Sequence, residues 1–218
     1  MCEKDQGGSV VFLRGIGVGK ISRRRLYWLS IAVAFFLFLY YLIPEPKDNP
    51  YMKVYSSQDG GGFAGCEFTD GKKSGAVFRF HMSPEECRLV DYSGGDVLTV
   101  SIDYPSMKVV KPRIDKSVIT IRMFPILRSS FWEAAFLEGV EPSKTVEGVK
   151  FYDYGGLTTR TFDGGEGETV FATDHERYWL AKRLFKDLRV SYQYARTYED
   201  VRLMDKFVVS FLKQAIVS

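Results

Sequence analysis

The sequence predicts an α+β protein: one N-terminal transmembrane helix, then an antiparallel β-sheet domain covered by a C-terminal amphipathic helix. Three observations predict it. Leu26–Ile43 runs eighteen residues without a charge. Downstream, six short stretches alternate apolar with polar residues, the period of a half-buried strand. From Val201 to Ala215 the period changes to that of a helix with one apolar stripe.

The apolar run comes first. As a helix, eighteen residues rise roughly 27 Å, close to the thickness of a bilayer core. Leu26, Tyr27 and Trp28 stand at one end and Tyr40 and Tyr41 at the other, where amphipathic rings favour the two interfaces. Lys20, Arg23, Arg24 and Arg25 precede the run, so the positive-inside rule puts 1–25 in the cytoplasm and 44–218 outside. The run ends in bulky residues with no small-residue cleavage site, which favours an uncleaved anchor over a signal peptide. The expected location is a bacterial inner membrane, single-pass, with the C-terminal domain periplasmic and the anchor in contact with lipid.

Charge follows the same division. Residues 1–25 carry six bases and two acids, and 44–218 carry 24 bases and 25 acids. The basic tail suits anionic lipid headgroups. The outer region has no basic bias, which speaks against nucleic acid as a partner. Within it, 44–62 reads as a flexible tether, stiffened by Pro44, Pro46 and Pro50 and loosened by Gly60, Gly61 and Gly62. Residues 63–218 then form one periplasmic α+β domain. Its two cysteines, Cys66 and Cys87, are expected to pair as a disulfide in an oxidising compartment, the alternative being two buried thiols.

The strands follow in order. Phe78, Phe80 and Met82 share one face of 76–82. Leu98, Val100, Ile102 and Tyr104 share one face of 96–104, and Ile119, Ile121 and Met123 one face of 117–123. Stretches 149–154 and 168–173 are further strands. In 188–195, Leu188, Val190, Tyr192 and Tyr194 oppose Arg189, Ser191 and Gln193. Residues 178–185 fit a helical face, yet a strand hairpin into 188–195 is favoured. In the final helix Thr197 is the expected N-cap, with Asp200 three residues later in a capping-box position. Val201, Met204, Val208, Phe211, Leu212 and Ala215 form the stripe, while Arg202, Asp205, Lys206 and Lys213 face away.

Chemistry is sparse. Gly15–Lys20 imitates a phosphate loop, but position 14 is arginine and Ile21 replaces the magnesium-holding hydroxyl. No G-x-S-x-G elbow accompanies His81 or His175, and their spacing with the cysteines suits no zinc site. Residues 163–168 are acidic and glycine-rich but lack a calcium-loop register, and read as a hairpin tip. No catalytic, cofactor-binding or metal-ligating residue is therefore expected. The candidate contacts for a protein partner are Phe131 and Trp132, the Tyr152/Tyr154 pair, and the carboxylates Asp163, Glu166 and Glu168. Aromatic side chains near loops suit binding hot spots.

With these elements in place, the chain resembles a loose group of bacterial membrane-anchored periplasmic proteins. The group includes immunity proteins encoded beside type VI secretion effectors, often lipases. The resemblance rests on Leu98–Met107 (LTVSIDYPSM), on 117–123 as the next strand, and on the closing strand and helix over 188–215, and covers about half of the outer domain. It implies a non-enzymatic inhibitor that occludes the active site of a cognate secreted toxin and acts by binding. Loops around 131–139 and 155–168 would plug the toxin's cleft. The alternative expectation is a single-span assembly subunit of a bacterial envelope complex.

Overall fold

The computed structural model describes residues 28, 31–35, 49–56, 63–71, 76–126, 137–165 and 167–217. They fall in two compact units, Met1–Lys47 and Asp48–Ser218. In the first, residue 28 and residues 31–35 are helical. Among the described residues no helix is long and apolar enough to cross a membrane. Five residues of helix rise about 7.5 Å, a quarter of a bilayer core of about 30 Å. The expected transmembrane helix and single-pass inner-membrane location are corrected on this ground. Of the expected anchor residues, Trp28 is helical and exposed, and Leu26, Tyr27, Tyr40 and Tyr41 lie outside the described residues.

The second unit is mostly β, which corrects the expected α+β class. Among its described residues are twelve strands in two antiparallel sheets and two helices. The first sheet has the order β1 (Met52–Ser56), β2 (Phe63–Thr69), β3 (Val77–Phe80). Residues 52–56, read in sequence as tether, thus pair with β2. The second sheet holds β4 (Leu98–Asp103), β5 (Val109–Val110), β6 (Val118–Pro125), β7 (Lys144–Val146), β8 (Val149–Tyr154), β9 (Leu157–Asp163), β10 (Thr169–Asp174), β11 (Tyr178–Phe185) and β12 (Leu188–Ala195). Its order is β5-β4-β6-β12-β11-β10-β9-β8-β7.

The excess of strand over expectation has a physical source. From Lys144 to Ala195 the chain is an unbroken run of hairpins, each strand beside the next. Turn residues at Glu147-Gly148 and Gly155-Gly156 take positive φ, the conformation a two-residue hairpin demands. The ambiguous stretch 178–185 is β11, paired with β12 over its whole length.

Alternation fixes which face is buried. Leu98, Val100 and Ile102 of β4, Ile119, Ile121 and Met123 of β6, and Val190, Tyr192 and Tyr194 of β12 form one continuous apolar face. Burying each such side chain contributes about 1.5–3 kcal/mol. Helix α2 (Val201–Ala215) lies against this face, and its stripe residues Val201, Met204, Val208, Phe211, Leu212 and Ala215 are all buried.

The small sheet joins the same core. Phe68, Phe78 and Phe80 pack edge to face with one another or with Tyr92. Helix α1 (Pro84–Cys87) carries a capping box between Ser83 and Glu86, and its last residue forms the disulfide Cys66–Cys87, with Cα atoms 6.4 Å apart. The expected pairing is thus present. Beyond α2 the chain pairs with β3: the Ala215 carbonyl accepts from the His81 N–H, and the Val217 N–H donates to the Arg79 carbonyl.

The cap of α2 differs from expectation. Asp200 is the N-cap, and its Oδ1 accepts from the Arg202 and Leu203 N–H groups at 3.1 and 2.9 Å. Thr197 lies one turn too early, in the bend that leaves β12. Asp200→Ala is expected to cost about 1 kcal/mol in urea unfolding. Thr197→Ala, serving as the control, should shift the midpoint little, and equal losses in the two variants would contradict this assignment.

Candidate binding surface

Two groups of polar side chains stand out, one sealed and one open. The sealed group lies between the large sheet and α2. Arg183 of β11 is fully buried and donates Nη1 to Asp205 Oδ2 at 2.7 Å. Tyr192 of β12 donates its hydroxyl to Asp205 Oδ1 at 2.8 Å. The Arg183 guanidinium also reaches the carbonyls of Leu184 and Gly164. Gly164 is required here by space, because a Cβ would meet Val170, Arg183 and Asp205 at 2.5–3.0 Å.

Asp205, expected to face solvent, is only 1% exposed. Its helical position puts it one residue after Met204, and the arginine and tyrosine waiting on the sheet turn a polar position inward. Burial pushes its carboxyl above the ordinary carboxylate range, against the opposing pull of Arg183 and the Tyr192 hydroxyl. The tyrosine hydroxyl is raised well above its usual range by the same burial. This group has no access to a ligand, and its geometry is that of a structural tie.

The open group lies where the large sheet extends past the start of α2. Here β7, β8 and β9 run out beyond the helix. A cleft of about 390 Å³ forms between their apolar-side residues and the first turns of α2. Val146, Val149 and Phe151 line the sheet side, and Val201 and Leu203 the helix side. Val146 and Leu203 are 51% and 50% exposed, large for apolar side chains.

Three bases, Arg160, Arg202 and Lys206, and three acids, Glu147, Glu199 and Asp200, surround this apolar strip. The Arg160 guanidinium of β9 lies over the Trp179 ring at 4.3 Å and over the Phe151 ring at 5.2 Å, and the Lys144 ammonium lies over the other partner of that pair, Phe151, at 4.5 Å. Such stacking holds a guanidinium flat and rigid. Arg160 Nη1 donates to the Glu199 carbonyl at 3.3 Å, and Arg202 Nη2 to the Glu147 carbonyl at 2.7 Å. The Arg160 Nε and Trp179 Nε1 donors are buried and have no acceptor among the described residues. Nearby, burial raises the Tyr194 hydroxyl far above its normal range.

The expected contact residues are not gathered into one place. Phe131, Trp132 and Glu166 lie outside the described residues. Tyr152 and Tyr154 project from the face of β8 opposite α2, yet Tyr152 is 9% exposed and Tyr154 60%. Tyr152 sits inside the sheet opposite Thr159, and Tyr154 stands at the hairpin end. Asp163 and Glu168 flank the β9–β10 turn. Six residue steps along the strand separate Leu157, the partner of Tyr154, from Asp163, roughly 20 Å. Residues 157–163, read as part of a plugging loop, are strand β9. Among the described residues no group of three or more histidine, cysteine, aspartate or glutamate side chains could hold a metal ion.

Sequence reasoning missed Phe151, Arg160, Arg202 and Lys206. The available signal was slight: Phe151 and Arg160 hold the inward positions of two strands that pair with each other.

No family model matches the chain, and no curated protein matches it. Among solved structures it is similar to Smlt3025, an immunity protein of the Stenotrophomonas maltophilia type IV secretion system. Identity is 13% over 76% of this chain and 99% of that one, with a TM-score of 0.49. At that identity and score the likeness carries no argument about the function of this chain, and the secretion system named there is type IV where the sequence resemblance pointed to type VI.

Proposed function

We propose that this chain is a non-enzymatic binding protein of the immunity type, which inhibits a secreted toxin by occluding its active site. The observation that carries the reading is the cleft beside α2: a rigid aromatic-and-arginine platform with apolar side chains left in solvent. Arginine is among the residues that dominate binding energy at protein interfaces, and here Trp179 lies buried beneath Arg160 while Phe151 lines the cleft beside it. The Cys66–Cys87 disulfide fits a periplasmic or extracellular setting, where such a toxin would be met. The finer reading, a lipase delivered by a type VI system, follows from the sequence resemblance alone. Tyr154, Asp163 and Glu168 stay further contact candidates, at opposite ends of β9.

The test is capture followed by inhibition. The full chain, tagged and produced in its native host, is expected to recover one secreted hydrolase in equimolar amount. Adding the purified chain to that hydrolase should abolish its activity at a one-to-one ratio. Full activity of the hydrolase at saturating chain would sink the proposal, as would a chain that turns over substrate by itself.

A further inference from the structure

We infer that the loop between β5 and β6, residues 111–117, is a second contact with the protein partner, in which Ile114 enters an apolar pocket rimmed by carboxylates. This rests on the binding reading above and adds a surface to it, with the chemistry that the surface selects.

Ile114 stands in this loop fully exposed, whereas no other large apolar side chain among the described residues exceeds 67%. Single exposed apolar residues are common on protein surfaces. Two further observations set this one apart. The loop is braced: Ser117 donates its Oγ to Asp103 Oδ1 at 2.9 Å and its N–H to Asp115 Oδ1 at 3.0 Å, and Arg113 lies 3.7 Å from both carboxylates. The Tyr104 N–H donates to the Ser117 carbonyl at 2.7 Å and ties the loop to the end of β4. A tip already held in shape loses little freedom on binding. The loop also adjoins the cleft. Tyr104 packs edge to face on Tyr198 and Phe207, with centroids 5.0 and 4.8 Å away. Those two residues bracket the stretch 199–206 that forms the helix side of the cleft.

Charge names the rim. Around Ile114 the loop carries Lys111, Arg113 and Lys116 against one acid, Asp115, while Lys108 and Asp103 stand at its base. Both acids are engaged by Arg113 and Ser117, and the three lysines are exposed and hold no ion pair among the described residues. Glu199 and Asp200 of the adjoining bend line the cleft instead. A pocket complementary to this tip is apolar inside and acidic at its mouth. One isoleucine is too small an anchor for a bilayer, where even a myristoyl chain holds only marginally, so the occupant is a protein.

The experiment uses the full chain and the hydrolase that it captures, with inhibition titrated and association followed in time. Ile114→Ser is expected to weaken inhibition about tenfold to a hundredfold, the loss of one buried aliphatic side chain. Val54→Ser, a change at an exposed valine of the small sheet, should leave inhibition as it was. The pair Lys111→Glu with Lys116→Glu should slow association about tenfold at low salt and flatten its salt dependence. All variants should keep the wild-type urea midpoint, since these side chains are exposed. Inhibition by Ile114→Ser within twofold of wild type overturns the inference, as does an equal loss in Val54→Ser or an association rate untouched by the lysine changes. Wild-type chain that sediments with phosphatidylglycerol vesicles, and fails to do so as Ile114→Ser, would assign the tip to lipid and overturn it too. Inhibition that no variant weakens leaves the binding reading standing and removes this inference alone. A wild-type chain that inhibits no hydrolase removes both.

Discussion

Asp205→Ala is expected to lower the free energy of unfolding by about 3–5 kcal/mol, because it leaves the charge of fully buried Arg183 without its counter-ion. Tyr192 would also lose the acceptor of its hydroxyl. The unfolding midpoint in urea measures this, with the slope held constant. A loss below about 1 kcal/mol would mean that solvent reaches the site. The double change Arg183→Met with Asp205→Leu should recover most of the loss, since it removes both charges rather than one. A pH series adds a sign. The folded-state carboxyl of Asp205 titrates above its ordinary 3.8. Its protonation therefore favours the folded state fully below pH 3.8, and that contribution is lost as pH rises through the folded value. The stability difference between the wild type and Asp205→Asn should follow that sign.

Removing the disulfide is the second large effect. Cys66 and Cys87 are 21 residues apart in sequence, and a bridge over a loop of that size contributes about 3 kcal/mol through the unfolded chain. The paired change Cys66→Ala with Cys87→Ala should lose about that much, and reductant should lower the wild-type midpoint towards it. Thiol titration gives a separate check. The chain has three cysteines, so the unfolded, unreduced protein should show one free thiol, Cys2. Three free thiols, or identical midpoints with and without reductant, would remove the claim. Because both cysteines are buried, a reductant should open the bridge far faster in the unfolded protein than in the folded one.

Strong periodicity was readable in the sequence and weak periodicity was not. β12 occupies the stretch expected from the alternation of Leu188, Val190, Tyr192 and Tyr194. β9 escaped because Leu157–Asp163 is mostly threonine and charge, residues that form strands without marking an inside and an outside. β5 and β7 escaped because two and three residues are too few to show a period. The length of the hairpin run changed the class of the domain even though most individual strands stood where expected. Asp205 shows the limit in the other direction. Helical spacing placed it beside the buried stripe, and only a partner on a strand 22 residues away in sequence decided that it turns inward.

The surface was less legible still. Tyr152 and Tyr154 share a face by sequence, yet one is buried and the other exposed. The cleft was not legible at all, because Phe151, Arg160, Trp179 and Arg202 come from four elements and meet only through pairing and the placing of α2.

The order of strands in the large sheet also bears on how the chain is made. Every neighbouring pair from β7 to β12 is joined by a hairpin, and β4, β5 and β6 lie close in sequence. One seam joins distant segments: β6 with β12, from Leu188 opposite Pro125 to Gln193 opposite Thr120. During synthesis the two half-sheets can therefore assemble early and locally, while the seam must wait for residues near the end of the chain. Until then β6 and β11 each present a raw edge, the state most open to mispairing with another nascent chain.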